Sequence, residues 1–278
     1  MTKQRTVKDQ VILKGVGLQT GKPVSMSIKP APQGSGINFI RTDIPNKPLL
    51  NINSISLDTS GSPERRTSLA VGSMQIQTIE HLMAALSGLS IDNVSIELDS
   101  EELPGMDGSA KDFVTAIRKA GIVEQIEPRP VLKIKEPVWC REGDSLIAVL
   151  PDDNFRISYT LSYPSPSIGT QYLSLMLTEE AFETDIAPAR TFCLEEEAVE
   201  LIKRGLGKGA NYDNTLVMGR STPMKTALRF PDEPVRHKIL DLIGDLYLLG
   251  MPVKGHVVAI KSGHKLNMEL VKKLKKGA

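Results

Sequence analysis

The sequence has only four histidines, and two of them stand where a neighbouring acid could share an ion with them. His237 and Asp241 are four residues apart in VRHKILDLIGDLYLL, a stretch with helical apolar spacing at Ile239, Leu242, Ile243 and Leu246. On a helix that spacing puts both side chains on one face, about 5–6 Å apart at Cβ, within reach of one metal ion. A surface ion pair has the same spacing. This helix is otherwise apolar, however, and an unpaired charge in a buried segment would cost several kcal/mol. Asp245 repeats the acidic position one turn on. In the first half of the chain Glu80 and His81 open a second helical stretch, IEHLMAALSGL, so two facing helices would let His81 complete a three-ligand site. Two histidines and one carboxylate leave a place open on a tetrahedral ion, the arrangement of a catalytic zinc that acidifies water toward pKa ~7. Fe(II) accepts the same ligands. No H-E-x-x-H motif is present, which argues against the commonest metalloproteases.

Other groups near these positions could move protons. Glu80 is either a general base for water or a first-turn carboxylate favoured by the helix dipole. His264, in Ser262-Gly263-His264 after a predicted strand, is either a general acid or a solvated loop histidine, and Asp245 could orient it. Lys238 is either an oxyanion or substrate group or a solvated helix lysine. His256, at a strand start beside Gly255, reads as structural or surface. The loop GLGKGA (205–210) has a phosphate-cradle composition without the phosphate-loop spacing or a leading strand, so it reads as a substrate entrance and not a triphosphate site.

The elements that must carry these residues follow one plan twice. Ile79 to Leu89 is a helix with Leu82, Ala85, Leu86 and Leu89 on one stripe; the strand NVSIEL follows, then a helix in DGSAKDFVTAIRKAG capped by Asp107 or Ser109. In the second half, the helix from Val235 to Leu249 stops at Gly250, the strand HVVAI follows, and LNMELVKKLKK closes the chain as a helix. Each half opens with hairpin-like strands: VKDQVILKG, PVSMSIKP and GINFIRT, then PVLKIKEPVW, SLIAVLP and FRISYTLSY. The break falls near IVEQIEPRPV, where Pro128 and Pro130 forbid a continuing helix. The expected fold is therefore α+β, two similar domains over 1–127 and 128–278, each a mainly antiparallel sheet with two helices. The second carries an insertion at about 168–218, with a helical segment CLEEEAVELIKRGLG and a glycine-rich loop.

Composition excludes several classes. At 278 residues, 40% hydrophobic and 24% charged, the chain is globular, and its 34 basic and 33 acidic residues give +1, no global field for nucleic acid. Cys140 and Cys193 are far apart and read as buried reduced thiols. MTKQRTVKDQ lacks the apolar core of a signal peptide, and no run reaches a membrane span, so a cytoplasmic protein is expected, by default a monomer.

The segments GVGLQTGK, TIEHLMAALSGLSIDNVSIEL, LPGMDGSAKDF, ARTFCLEEE, GLGKGANYDNTLV, DEPVRHKILDLIGDLYLLG and KSGHKLN together resemble the bacterial UDP-3-O-acyl-N-acetylglucosamine deacetylase family over essentially the whole length. The resemblance implies two α+β domains whose sheets sandwich helices, with Zn2+ and the active site at the domain junction. It implies zinc-dependent hydrolysis of the acetamide of UDP-3-O-[(R)-3-hydroxyacyl]-N-acetylglucosamine, releasing acetate, in lipid A biosynthesis. By the same resemblance His81, His237 and Asp241 are the metal ligands and Glu80 the general base. His264 is the general acid or an electrostatic partner of the transition state, and Asp245 orients it. Thr191 and Lys238 hold oxyanion and substrate, and Phe192 packs near the sugar. The segment after Phe192 becomes an apolar acyl tunnel, which suits the stripe Leu194, Ala198, Leu201 and Ile202. Three positions depart from the common pattern: Gln19 replaces a histidine, Lys265 puts a charge beside His264, and Gly105 should loosen its turn. Lys225 and Arg229 are candidates for the diphosphate. A metal-dependent amidase for another N-acyl sugar and a non-catalytic nucleotide-sugar binder are the competing functions.

Overall fold

The structure, a computed structural model, describes residues 2–53, 66–72 and 74–277. In the first half β1 (Lys3–Val7), β2 (Val11–Val16), β3 (Pro23–Pro30), β4 (Ile37–Arg41) and β5 (Leu49–Asn51) precede a hairpin of β6 (Ser68–Val71) and β7 (Met74–Gln77). Then come α1 (Glu80–Gly88), β8 (Val94–Leu98), α2 (Lys111–Ala120) and β9 (Ile122–Pro128). The second half runs β10 (Leu132–Lys133), β11 (Val138–Glu142), β12 (Ser145–Leu150), β13 (Phe155–Ser162), β14 (Thr170–Met176), the single turn α3 (Glu179–Ala181), β15 (Phe192–Leu194), α4 (Glu195–Lys203), β16 (Leu216–Met218), α5 (Glu233–Leu246), β17 (Val253–Ile260) and α6 (His264–Gly277).

The molecule is α+β, and its two large sheets share one order. The first runs β2-β3-β8-β4-β5 and the second β11-β12-β17-β13-β14, with β10 added beside β17. Exchanging β2, β3, β4, β5 and β8 for β11, β12, β13, β14 and β17 turns one into the other. The orientations match too: β4 is parallel to β8 and β13 to β17, and the remaining pairs along both orders are antiparallel. In both, the central strand follows a long buried helix. Its inward residues alternate as a half-buried strand requires: Val94, Ile96 and Leu98 in β8, and Val253, Val257 and Ala259 in β17.

The two central helices explain the apolar character of their sequences. Eight of the nine residues of α1 are buried, and α5 buries twelve of fourteen, so neither has a solvent face. They pack on each other, while α6 lies on β11 and β12 and α5 on β13 and β14. By contrast α2 is amphipathic and buries only Phe113, Val114 and Ile117. Apolar residues of both sheets and of these helices form one contiguous core.

Two segments differ from the sequence reading. Ile122–Pro128, within the expected break, is a strand because β1 supplies an antiparallel partner, with Val7 opposite Ile122. Thr170–Met176, read as part of the insertion, is the edge of the repeated sheet, paired with β13. Among the described residues no helix is long and apolar enough to cross a membrane.

Candidate metal centre and adjoining cavity

The crossing of α1 and α5 sets the site. Gly244 faces the start of α1, where a Cβ would lie 2.0 Å from the carbonyl oxygen of Glu80. This glycine lets the first turn of α1 touch the middle of α5, and so brings His81 beside the His237/Asp241 face. Nε2 of His81 is 3.6 Å, and Nε2 of His237 3.4 Å, from Oδ1 of Asp241. Two ligands bound about 2.0–2.2 Å from one tetrahedral ion stand roughly 3.4 Å apart, so the spacing is that of donors sharing an ion. The two rings meet edge to face with centroids 5.0 Å apart. Among the described residues these three are the one cluster of His, Cys, Asp or Glu able to hold a metal, their ligand atoms lying within 4.8 Å of one another. We expect Gly244→Ala to destabilise the protein by about 1–3 kcal/mol through overpacking, despite the ~1 kcal/mol helical advantage of alanine. It should also lower metal content; denaturant unfolding and metal analysis together check this.

The donor set is prepared for a cation. Burial pushes the His237 imidazole down to about 3 even though Asp241 pulls the other way, so its lone pair is free. Its Nδ1 lies 3.0 Å from the carbonyl oxygen of Ala189, a bond that leaves Nε2 facing His81 and Asp241. Burial opposes ionisation of Asp241, but the Lys238 ammonium and the charged His264 ring outweigh it and hold the carboxyl well below its ordinary range. Lys238 donates to Oδ2 of Asp241 at 2.8 Å, leaving Oδ1 to the imidazoles. The residues therefore fit a divalent ion of the zinc type.

Proton-handling groups flank this cluster. Nδ1–H of His264 donates to Oδ2 of Asp245 at 2.9 Å, and Nε2 is 3.8 Å from Oδ2 of Asp241. Burial disfavours the charged ring, but the carboxylates of Asp245, Asp241 and Glu80 prevail and raise His264 to about 9. Asp245 is fully buried and also accepts from Asn267 at 2.8 Å. Glu80 is raised by burial, with His264 and His81 opposing and Asp241 and Asp245 adding. Glu80 is buried and also opens the first turn of α1, so both of its expected readings stand together, whereas the solvated-loop alternative for His264 is not what the fold provides. Lys265, by contrast, is exposed and pairs with Glu142, so its charge is engaged away from the imidazole. His256 lies in the sheet, with Nε2 2.8 Å from the Ser158 hydroxyl.

Sequence reasoning missed Thr67, which joins both proton-handling groups. Its amide donates to Oε2 of Glu80 at 3.0 Å, its hydroxyl donates to Oδ1 of Asp245, and the same oxygen lies 3.1 Å from Nδ1 of His264. One threonine in RRTSL carries no periodic signal, and its partners are up to 197 residues away.

Thr191 and Phe192 line a cavity of about 340 Å³ whose other walls include Leu18, Gln19, Ala198, Leu201 and Tyr212. The Phe192 ring stands edge-on to His237, 6.3 Å between centroids, and Lys238 Nζ is 5.9 Å from that ring. The cavity thus adjoins the metal cluster through Phe192. Among the described residues no hydrogen bond joins Thr191 to the cluster; its amide donates to Gly108 and its carbonyl accepts from Leu216. Upstream, Arg190 is buried against the fully buried Glu233, which also takes the amides of Arg190 and Arg229. This pair holds Ala189 at the back of His237. We expect Glu233→Ala to strand Arg190 and cost about 3–5 kcal/mol, read by urea unfolding. Of the diphosphate candidates, Arg229 is paired with Asp107 at 2.8 Å, and Lys225 lies over the Tyr212 ring.

Residues 4–276 match the family model of the UDP-3-O-acyl N-acetylglycosamine deacetylases. The chain belongs to that family. Curated relatives named UDP-3-O-acyl-N-acetylglucosamine deacetylase agree. One from Anaeromyxobacter sp. (strain Fw109-5) is 43% identical over 272 residues, 98% of this chain and 88% of the relative. One from Chlamydia felis is 44% identical over 273 residues, covering 98% and 96%. A third, from Thermodesulfovibrio yellowstonii, is 43% identical over 271 residues, covering 98% and 91%. Membership in this deacetylase family makes the protein an amide hydrolase, and the cluster above is a group able to hold a metal ion.

Proposed function

We propose that this protein hydrolyses the acetamide of UDP-3-O-[(R)-3-hydroxyacyl]-N-acetylglucosamine in lipid A biosynthesis, with a zinc ion held by His81, His237 and Asp241. The observation that carries the reading is the convergence of two imidazoles and one carboxylate, flanked by Glu80 and His264 and joined through Phe192 to an apolar cavity. When bound, the ion supplies Lewis acidity to the amide carbonyl and to a water. Glu80, raised by burial toward the working range of a base, accepts the proton of the attacking water. Lys238 and Thr191 hold the negative charge that develops on the carbonyl oxygen. His264, charged because of Asp245, gives a proton to the departing glucosamine nitrogen. Phe192 packs at the sugar, and the 340 Å³ cavity takes the acyl chain, which favours this substrate over an unacylated N-acetyl sugar.

We further propose that residues 1–127 and 128–278 are two domains with the active site at their junction, in a cytoplasmic monomer. The test of the proposed activity is release of free amine, detected with fluorescamine, from the long-chain acylated UDP sugar by zinc-loaded protein. A short-chain analogue serves as comparator. Stoichiometric metal without any amine release would overturn the assignment.

A further inference from the structure

The apolar cavity has a seam. One wall comes from α4, β15, β16 and the glycine loop 205–210, and the other from the turn 17–21 between β2 and β3. Three hydrogen bonds cross the seam. The Gly209 amide donates to the Leu18 carbonyl at 3.1 Å and the Lys208 amide to the Gln19 carbonyl at 3.2 Å. The Gly207 amide donates to the Gln19 side chain, Oε1, at 3.1 Å. The contact is close, since a Cβ on Gly209 would lie 2.2 Å from the Gly17 carbonyl oxygen.

The turn that presents Gln19 is itself fixed. The fully buried Glu102 accepts the amides of Gln19 at 2.9 Å and Thr20 at 2.8 Å, together with the hydroxyls of Thr20 at 2.7 Å and Thr78 at 2.8 Å. Gly105 seats the turn, because a Cβ there would come within 2.3 Å of the Leu18 side chain. Gly105 thus makes room for a cavity residue. Thr78 stands two residues before Glu80, so one carboxylate ties the approach to α1 to the turn, and Gln19 ties the turn to the loop.

We infer that Gln19 is a specificity-determining residue that acts through Gly207, holding the cavity wall closed around a long acyl chain. The inference rests on the reading that this cavity takes the acyl chain. Gly207 and Gln19 both line the cavity. With hydrocarbon beside them, water is excluded, and a Gly207 amide without Oε1 of Gln19 is left unpaired against an apolar ligand. With a short acyl group, water can reach that amide and the loss is small. The side chain of Gln19 therefore governs binding of long chains and not the chemical step.

The test uses the full-length, zinc-loaded protein with two UDP-N-acetylglucosamine substrates, one with a long 3-O-acyl chain and one whose chain is too short to fill the cavity. Gln19→Met keeps the shape and removes the acceptor, whereas Gln19→Glu keeps an acceptor oxygen. We expect Gln19→Met to raise KM for the long-chain substrate about tenfold, the order set by one unpaired buried amide. Its kcat, and its KM for the short-chain substrate, should stay within about twofold of wild type. Gln19→Glu should retain a long-chain KM within about threefold. An unchanged long-chain KM in Gln19→Met, an equal rise for both substrates, or a fall in kcat alone would each overturn the inference. Amide exchange on the wild type gives a check independent of any variant: Gly207, Lys208 and Gly209 should be protected, and exchange of Gly207 at open-loop rates would overturn it. Wild type inactive on both substrates would instead refute the functional assignment.

Discussion

Asp241→Asn should purify folded and without bound metal. The carboxylate stands 3.4 and 3.6 Å from the Nε2 atoms of the two imidazoles, and a neutral amide oxygen is a far weaker ligand for a divalent ion. Asparagine still offers an oxygen to Lys238, which otherwise would lose the partner it holds at 2.8 Å, so the fold survives where alanine would strand the cation. The change should lower metal affinity by more than about 100-fold, beyond what loss of a supporting hydrogen bond causes. Removing a Lewis acid that contributes several kcal/mol of transition-state stabilisation should lower turnover on the order of 10³-fold. Metal analysis after dialysis, circular dichroism and the amine-release assay read the three consequences separately. A folded Asp241→Asn protein with full metal content would remove Asp241 from the ligand set.

The same cluster shows why part of the site could be read in the sequence. His237 and Asp241 are four apart on one helix, and helical geometry alone puts them together. His81 needed a second element, and was found only because both halves repeat a helix–strand–helix order that reappears in the matching sheet orders. Of the apolar stripe Leu194, Ala198, Leu201 and Ile202, the last three line the cavity and Leu194 packs against the core. What stayed hidden depends on tertiary approach. Gly244 looks like a weak point in a helix until its contact with Glu80 is seen. Thr67, Glu102 and Gln19 act through partners from 13 to 197 residues away, and no period or spacing encodes such contacts. The alternation in QYLSLM gives a strand without saying which sheet it joins, so the sequence alone leaves the edge strand Thr170–Met176 within the insertion.

Glu80→Gln should keep the metal and lose turnover by on the order of 10²–10⁴-fold, the contribution of a positioned general base. Glutamine preserves the length of the side chain and an oxygen for the Thr67 amide, so the geometry at 3.0 Å can persist while the proton acceptor is gone. The pH profile separates this residue from His264. Glu80 must be ionised, and burial raises its pKa, so wild-type activity should be lost as pH falls through that raised value. His264 must be charged, and activity should be lost as pH rises toward about 9. The groups facing the imidazole are Asp245, Asp241 and Glu80, and an ion at Asp241 would take up part of that carboxylate's charge. Asp245 then remains the principal anion. Asp245→Asn should therefore move the alkaline limb to lower pH, with only a smaller shift of the acid limb because Asp245 contributes least of the groups acting on Glu80, and Glu80→Gln should flatten the acid limb instead. If Asp245→Asn left the alkaline limb unmoved, His264 would not be the acid, because no other change at that position removes its buried counter-charge so directly.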